Sequence, residues 1–296
     1  MSDRGKGALA AVVAALLAAG FFIPFKAAGA DNPRFVVVLA MLAVAAVLNT
    51  VVGLIRGGQG RALRPVALVT ALVLGVFTVL GNFGVASALQ VQEPAVTATV
   101  VHTQLLFVAV LEFVFLSHPI TRRFAVGALV SIGGFAIMQL GSDGVADAST
   151  AGVLWALLAS ASFAIMHVVT RAVIQRIDPV SVNAFRLWIA VIALLCIPGN
   201  ASGLFELDGT GWALAGAAAF LGPFLSRLCI MAAVKYIPAS EASLLTMVNP
   251  LFAFALGFAA FQTLPTGTEI IGGVIILAGV LVPTWPTATA RSRAAP

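Results

Sequence analysis

The sequence predicts an all-α integral membrane protein, and three observations carry that expectation. Of 296 residues, 61% are apolar and only 9% are charged, whereas an ordinary soluble domain is about 45–50% apolar and about 25% charged. The mean hydropathy is +1.09. The chain also divides into ten apolar segments of about 19–25 residues, each able to cross about 30 Å of hydrocarbon at a rise of about 1.5 Å per residue. Alternation at period two is absent, which argues against a barrel. Backbone groups in lipid must be satisfied within the segment, so the segments read as helices.

The segments are bounded by charge, Pro or Gly and cover 7–25, 35–55, 65–89, 95–116, 122–140, 150–170, 180–198, 210–234, 239–262 and 267–285. The first follows Arg4 and Lys6 and ends near Ala28-Gly29-Ala30, a pattern that also fits a secretory leader. The helix reading is preferred because the repeat described below requires it. No connection exceeds about a dozen residues, well short of a soluble domain. No Gly-x-x-x-x-Gly-Lys-Ser/Thr phosphate loop occurs, and Gly57-Gly58-Gln59-Gly60 reads as a turn. These features exclude an ATP-driven pump on this chain alone, and no ATPase partner is implied. The basic residues form no dense patch, which sets nucleic acid aside despite the pI near 10.0. Cys196 and Cys229 lie in apolar runs without partners at ligand spacing and read as small buried hydrophobes, so no metal or cofactor is expected.

Basic residues fix the expected orientation. One set of connections carries Arg4, Lys6, Arg56, Arg61, Arg64, Arg122, Arg123, Arg171, Arg176, Lys235, Arg291 and Arg293, whereas the alternate set has only Lys26 and Arg34. By the positive-inside rule both termini face the cytoplasm, as an even number of spans requires. The expected location is the inner (plasma) membrane, with the bilayer and a small-molecule substrate as partners.

A displacement of 145 residues superimposes Gly7 on Gly152, Lys26 on Arg171, Ala88 on Ala233, Leu106-Phe107 on Leu251-Phe252, Gly127 on Gly272 and Gly134 on Gly279. The chain is therefore expected to hold two five-helix repeats, 1–145 and 146–296. Five is odd, so the second copy enters the membrane from the opposite side. Inverted repeats of this kind typify secondary transporters, whose binding site lies near the midplane between the repeats.

These matched positions, together with Val248-Asn249-Pro250-Leu251-Phe252, resemble the EamA-type branch of the drug/metabolite transporter superfamily over essentially the whole chain. Within it the sequence is most similar to exporters of aromatic and neutral amino acids. The resemblance implies alternating-access export of amino acids or related small metabolites, and no enzymatic activity. Two departures stand out. Leu105 replaces the proline that the second half carries as Pro250, which limits a proline-loosened helix to the ninth segment. His118 and Thr263 replace an acidic residue that many relatives carry.

Polar side chains at membrane depth are functional candidates by default. The expected substrate-binding groups are Thr78 and Asn82 in the third segment, His102 and Gln104 in the fourth, His167 in the sixth, Arg227 in the eighth and Asn249 in the ninth. Phe22, Phe77, Phe163 and Phe224 are expected to supply apolar lining, as an amphipathic substrate requires. Phe21, Phe25, Phe83 and Phe220 are further aromatic candidates. Under the same displacement Asn82 pairs with Arg227 and Gln104 with Asn249. Arg227 has two open roles, holding a substrate carboxylate or pairing with Glu112. Arg186, early in the seventh segment, is expected to snorkel. Pro24, Pro223 and Pro250 mark possible bends.

A nucleotide-sugar or drug carrier on the same scaffold is the alternative within transport. A channel or an intramembrane enzyme fits less well, because a charged ring, a re-entrant loop and a deep carboxylate beside the histidines are all missing. Only His102 and His167 titrate near neutrality at depth, so gradient-driven uniport is the expected coupling.

Overall fold

A computed structural model describes residues 2–56, 64–92, 94–140, 149–261 and 266–284. The Gly57–Gly60 stretch and Thr263 lie outside the described residues. Every regular element among those described is helical. In chain order these are α1 (Asp3–Asp31), α2 (Arg34–Ile55), α3 (Pro65–Val91), α4 (Pro94–His102), α5 (Gln104–Leu116), α6 (Arg122–Leu140) and α7 (Thr150–Val173). The second half contains α8 (Pro179–Leu195), α9 (Asn200–Glu206), α10 (Gly209–Ala219), a π-helical turn (Phe220–Ser226), α11 (Arg227–Tyr236), α12 (Ala239–Thr246), α13 (Asn249–Phe261) and α14 (Gly267–Thr284).

Local chemistry sets many of the helix starts. The Ser2 hydroxyl accepts from Gly5 N at 3.2 Å, Asp178 from Ser181 N at 2.9 Å and Asp208 from Gly211 N at 2.6 Å. Each occupies the N-cap of α1, α8 or α10 and satisfies an amide that the helix itself leaves unpaired. Pro65 and Pro179 open α3 and α8 in the first turn, where a missing N–H costs nothing.

Among the described residues six helices are long and apolar enough to cross a membrane on their own: 3–30, 35–55, 65–88, 96–116, 150–173 and 209–236. A seventh span arises if α8 and α9, which meet at 99°, are taken together. Ten independent spans therefore do not emerge from length and composition. The ninth segment is divided into α12 and α13 at Met247–Val248, and α14 is a shorter apolar helix.

The fourth and ninth segments break at corresponding places, and Leu105 does not prevent the first break. Leu106 N and Phe107 N both donate to Thr103 O, at 2.9 and 3.4 Å. Leu251 N and Phe252 N donate to Val248 O at 3.0 and 3.4 Å in the same pattern, 145 residues on. A tightened turn interrupts each ladder. Pro250 lies in the first turn of α13, where it is tolerated. Pro24 leaves α1 unbroken.

Packing follows the same displacement. The pairs α3–α7 and α3–α8 have counterparts in α1 against α10–α11 and in α2 against α10 and the π turn. Helices α6 and α14 pair with each other, and α2 pairs with α8. Along the α6–α14 seam, the place a Cβ would take on Gly127 lies 2.5 Å from Gly279 O, and on Gly134 it lies 2.8 Å from Gly272 O. Between these two contacts Ser131 Oγ donates to Ile276 O at 3.4 Å, two residues 145 apart. Rising numbers in α6 meet falling numbers in α14, so the helices are antiparallel. Small residues let the backbones meet, as membrane helices often require.

One end of the molecule gathers the N-terminus and the 112–118, 171–176 and 234–241 stretches. Arg4 bridges Glu241 at 2.8 Å and Arg171 Nη1 donates to Val234 O. At the other end a cavity of about 180 Å³ lies between Ala27–Asn32 and Glu206–Leu214.

Candidate functional site

Helix α7 is the spine of the polar interior. Ser160, Phe163, Met166, His167 and Thr170 fall within about a third of its circumference at 100° per residue. Ser160 Oγ lies 3.1 Å from Thr103 Oγ1 at the fourth-segment break. The Phe163 ring fills the place a Cβ on Gly81 would take. Met166 Sδ lies 3.7 Å from the Thr78 hydroxyl. His167 Nδ1 and Ser243 Oγ are 2.9 Å apart. Arg227 Nη2 donates to Thr170 Oγ1 at 3.3 Å. One helix face thus reaches α3, α4–α5, α11 and α12.

A second junction centres on Asn183, which is fully buried. Its Nδ2 donates to Asn49 Oδ1 and to Pro223 O, both at 3.0 Å, and its Oδ1 accepts from Arg186 Nε at 3.1 Å. Pro223 sits in the π turn, where its ring and missing N–H disturb the ladder. Asn183 supplies a donor to the carbonyl there, an example of a side chain re-satisfying backbone at a membrane-helix break. Arg186 Nη1 continues the network to Thr78 Oγ1 at 2.9 Å.

Arg186 therefore does not snorkel. It is only 4% exposed, because α8 turns it inward toward α3, with Thr78 and Asn183 as acceptors. Arg227 does not pair with Glu112. The Glu112 carboxylate accepts from Ala239 N at 2.6 Å, Ser240 N at 2.9 Å and Ser240 Oγ at 2.5 Å, capping α12. Arg227 instead has its Nε buried with no hydrogen-bond partner, and it lies within electrostatic reach of Arg186 and His167.

Of the expected binding residues, Thr78, Phe163, His167 and Arg227 meet along α7. Asn82 is one turn from Thr78, and its Nδ2 donates back to Thr78 O at 2.8 Å. Phe77 and Phe163 pack against the main core cluster. Phe224 is buried, one turn before Arg227. Two other residues are held elsewhere. The His102 ring packs on Phe135 of α6 with centroids 4.0 Å apart, and Asn249 Nδ2 donates to Ala15 O of α1 at 2.9 Å. Gln104 is partly buried next to the break. The Phe22 side chain lies outside the described residues. Phe83 and Phe220 are exposed at 39% and 47% and face outward, while Phe21 stacks on Phe25. Cys196, at the end of α8, is exposed rather than buried.

Sequence reasoning missed Asn49, Ser160, Thr170 and Asn183. Two signals were available for Asn183: an amide in the middle of an apolar segment, and its place one helical turn before Arg186.

The sequence pattern of the EamA-like transporter family matches this chain twice, over residues 5–140 and 150–285. An uncharacterized transporter of Archaeoglobus fulgidus is 26% identical over 216 residues, covering 72% of this chain and 75% of that protein. A probable terminal-alkyne amino-acid exporter of Streptantibioticus cattleyicolor is 26% identical over 265 residues, covering 87% and 84%. A crystal structure at 20% identity superimposes with a TM-score of 0.81 over 99% of this chain and 100% of that one, a likeness of fold. With both halves matched and a polar network running through the bundle, this chain is a multi-pass membrane transporter that belongs to the EamA-like transporter family.

Proposed function

We propose that this protein exports amino acids of the aromatic and neutral kind, or closely related small metabolites, across the inner membrane by alternating access. On this reading ten spans form two inverted five-helix repeats, 1–145 and 146–296, with both termini in the cytoplasm. The reciprocal α6–α14 contacts, the matching breaks at Thr103 and Val248, and the two family matches displaced by 145 residues (150 − 5) all support that arrangement. The observation that carries the transport reading is the polar junction of α3, α7, α8 and α11, because polar groups so deep in a bilayer are kept for substrate or ion pathways. The exporter relative at 26% identity supports amino acids as the substrate class. Expected lining groups are Thr78, Asn82, Phe77, Phe163, His167, Phe224 and Arg227, with Phe22, His102, Gln104 and Asn249 nearer the breaks and α1.

Uniport is the proposed coupling. Glu112 is the one buried carboxylate among the described residues, and its hydrogen bonds commit it to capping α12. The test is uptake of labelled phenylalanine, leucine and alanine into liposomes carrying the purified protein. Transport should run down a substrate gradient and change little under an imposed proton gradient. Uphill accumulation driven by protons would overturn uniport, and no transport of any of the three would overturn the amino-acid reading.

A further inference from the structure

We infer that Arg186 and Arg227 together form a recognition site for an anionic group, and that the transported substrate is selected by its carboxylate rather than by its amine. This inference rests on the transporter reading above and names the chemistry its site selects.

A guanidinium stays charged inside a protein, and a buried charge is ordinarily paired. Arg186 is buried and Arg227 half-buried with its Nε enclosed, and neither meets a carboxylate among the described residues. Among the described residues the ion pairs are Arg4–Glu241 and Lys6–Asp3, both far from this junction in the fold. The side chains that accept from Arg186 and Arg227 are neutral: Thr78, Asn183 and Thr170. Arg227 Nε, shut off from solvent, donates to nothing. Two like charges within reach of each other raise the local potential further, and Glu112, the acid the sequence offered as a partner for Arg227, is used elsewhere.

The backbone holds the pair in place. Asn183 precedes Arg186 by one turn, Pro223 precedes Arg227 by one turn, and Asn183 Nδ2 bonds Pro223 O at 3.0 Å. The two arginines are therefore fixed to one contact between α8 and the π turn. π-helical turns recur at functional sites, and this one sets the angle at which α11 presents Arg227. A carboxylate fits the arrangement because a guanidinium presents paired donors to it. An ammonium finds no anionic partner among the described residues of the junction.

The test uses one aromatic ring in three charge states: 3-phenylpropionate (carboxylate only), phenylalanine (both groups) and phenethylamine (amine only). Binding to the purified full-length protein in detergent is measured by calorimetry, apart from transport. Phenylpropionate and phenylalanine should bind, and phenethylamine should bind at least tenfold more weakly. Arg227→Gln should weaken the first two at least tenfold, with Arg227→Lys intermediate, because it keeps the charge and loses the fork. Equal binding of phenethylamine, failure of phenylpropionate to bind, or a folded Arg227→Gln protein with unchanged affinity would each overturn the inference. If Arg227→Gln does not fold, the order of the three ligands on the unaltered protein decides. Phenylalanine transport with no preference for the carboxylate sinks the anion site and leaves the exporter reading standing. Tight phenylpropionate binding with no amino-acid transport does the reverse.

Discussion

Gly127 and Gly279 face each other across α6 and α14 so closely that a Cβ on the first would stand 2.5 Å from the carbonyl oxygen of the second, and one on the second 2.6 Å from the carbonyl of the first. On Gly127 a methyl group would meet that backbone oxygen first and the Pro283 ring at 2.8 Å next, and neither is the end of a flexible side chain. Gly127→Ala should therefore force the helices apart at a cost of about 1–3 kcal/mol. Gly133→Ala, six residues along the same helix with nothing within 4 Å, should be nearly neutral. Thermal unfolding in detergent separates the two, and equal melting temperatures would mean that the helices can part at Gly127 without cost.

The Thr78 hydroxyl accepts from Arg186 Nη1 while donating to Leu74 O at 2.6 Å. Thr78→Val keeps the shape but leaves a charged donor short of an acceptor, at about 1–3 kcal/mol. Thr78→Ser keeps the oxygen and should lose well under half as much. A melting curve for the serine variant as low as that for valine would mean that the methyl group, not the hydrogen bond, matters here.

Glu112 is wholly a capping residue in this structure. Glu112→Gln retains the volume but places an amide donor against donors at the start of α12, and loses charge-assisted bonds typically worth about 1.5–3 kcal/mol each. Stability should fall while the order of substrate preference stays the same. A changed response of transport to a proton gradient in this variant would instead assign the carboxylate to coupling.

The proposed topology puts Arg176 and Ala201 on opposite faces of the membrane, and both are exposed. In a background of Cys196→Ser and Cys229→Ala, single cysteines at these positions should react with an impermeant maleimide from opposite sides of oriented vesicles. Labelling from one side alone would break the ten-span arrangement.

The helical class and the displacement of 145 residues were legible because composition and scarce landmarks such as paired glycines survive without any knowledge of contacts. The breaks were harder to read. A proline signals loosening, so Pro250 pointed to the ninth segment, yet the turn at Thr103 forms without one, using a Thr103 hydroxyl that bonds Val100 O at 2.6 Å. Arg186 was misread for a related reason. Distance from a segment end suggests that a long side chain escapes to the interface, but the direction it takes depends on which neighbour its helix face meets. Here that face meets Thr78 and Asn183. His102 and Asn249 stood out in the sequence as polar residues in apolar segments, but their partners, Phe135 and the Ala15 carbonyl, lie on helices that no sequence spacing connects to them.

The two guanidiniums of the junction have a further consequence for how the carrier is powered. A zwitterionic amino acid crosses with no net charge and gains nothing from the voltage. For a related metabolite that keeps the carboxylate and lacks the amine, moved with no co-transported ion, exit from a cell held negative inside is an electrical event. Each elementary charge moved through 100 mV is worth about 2.3 kcal/mol. That corresponds to about a fiftyfold difference in concentration at equilibrium. Resting voltage alone would then let a uniporter of this design empty the cell of an anion well past equal concentrations, and dissipating the voltage with a potassium ionophore would remove that bias without touching the protein.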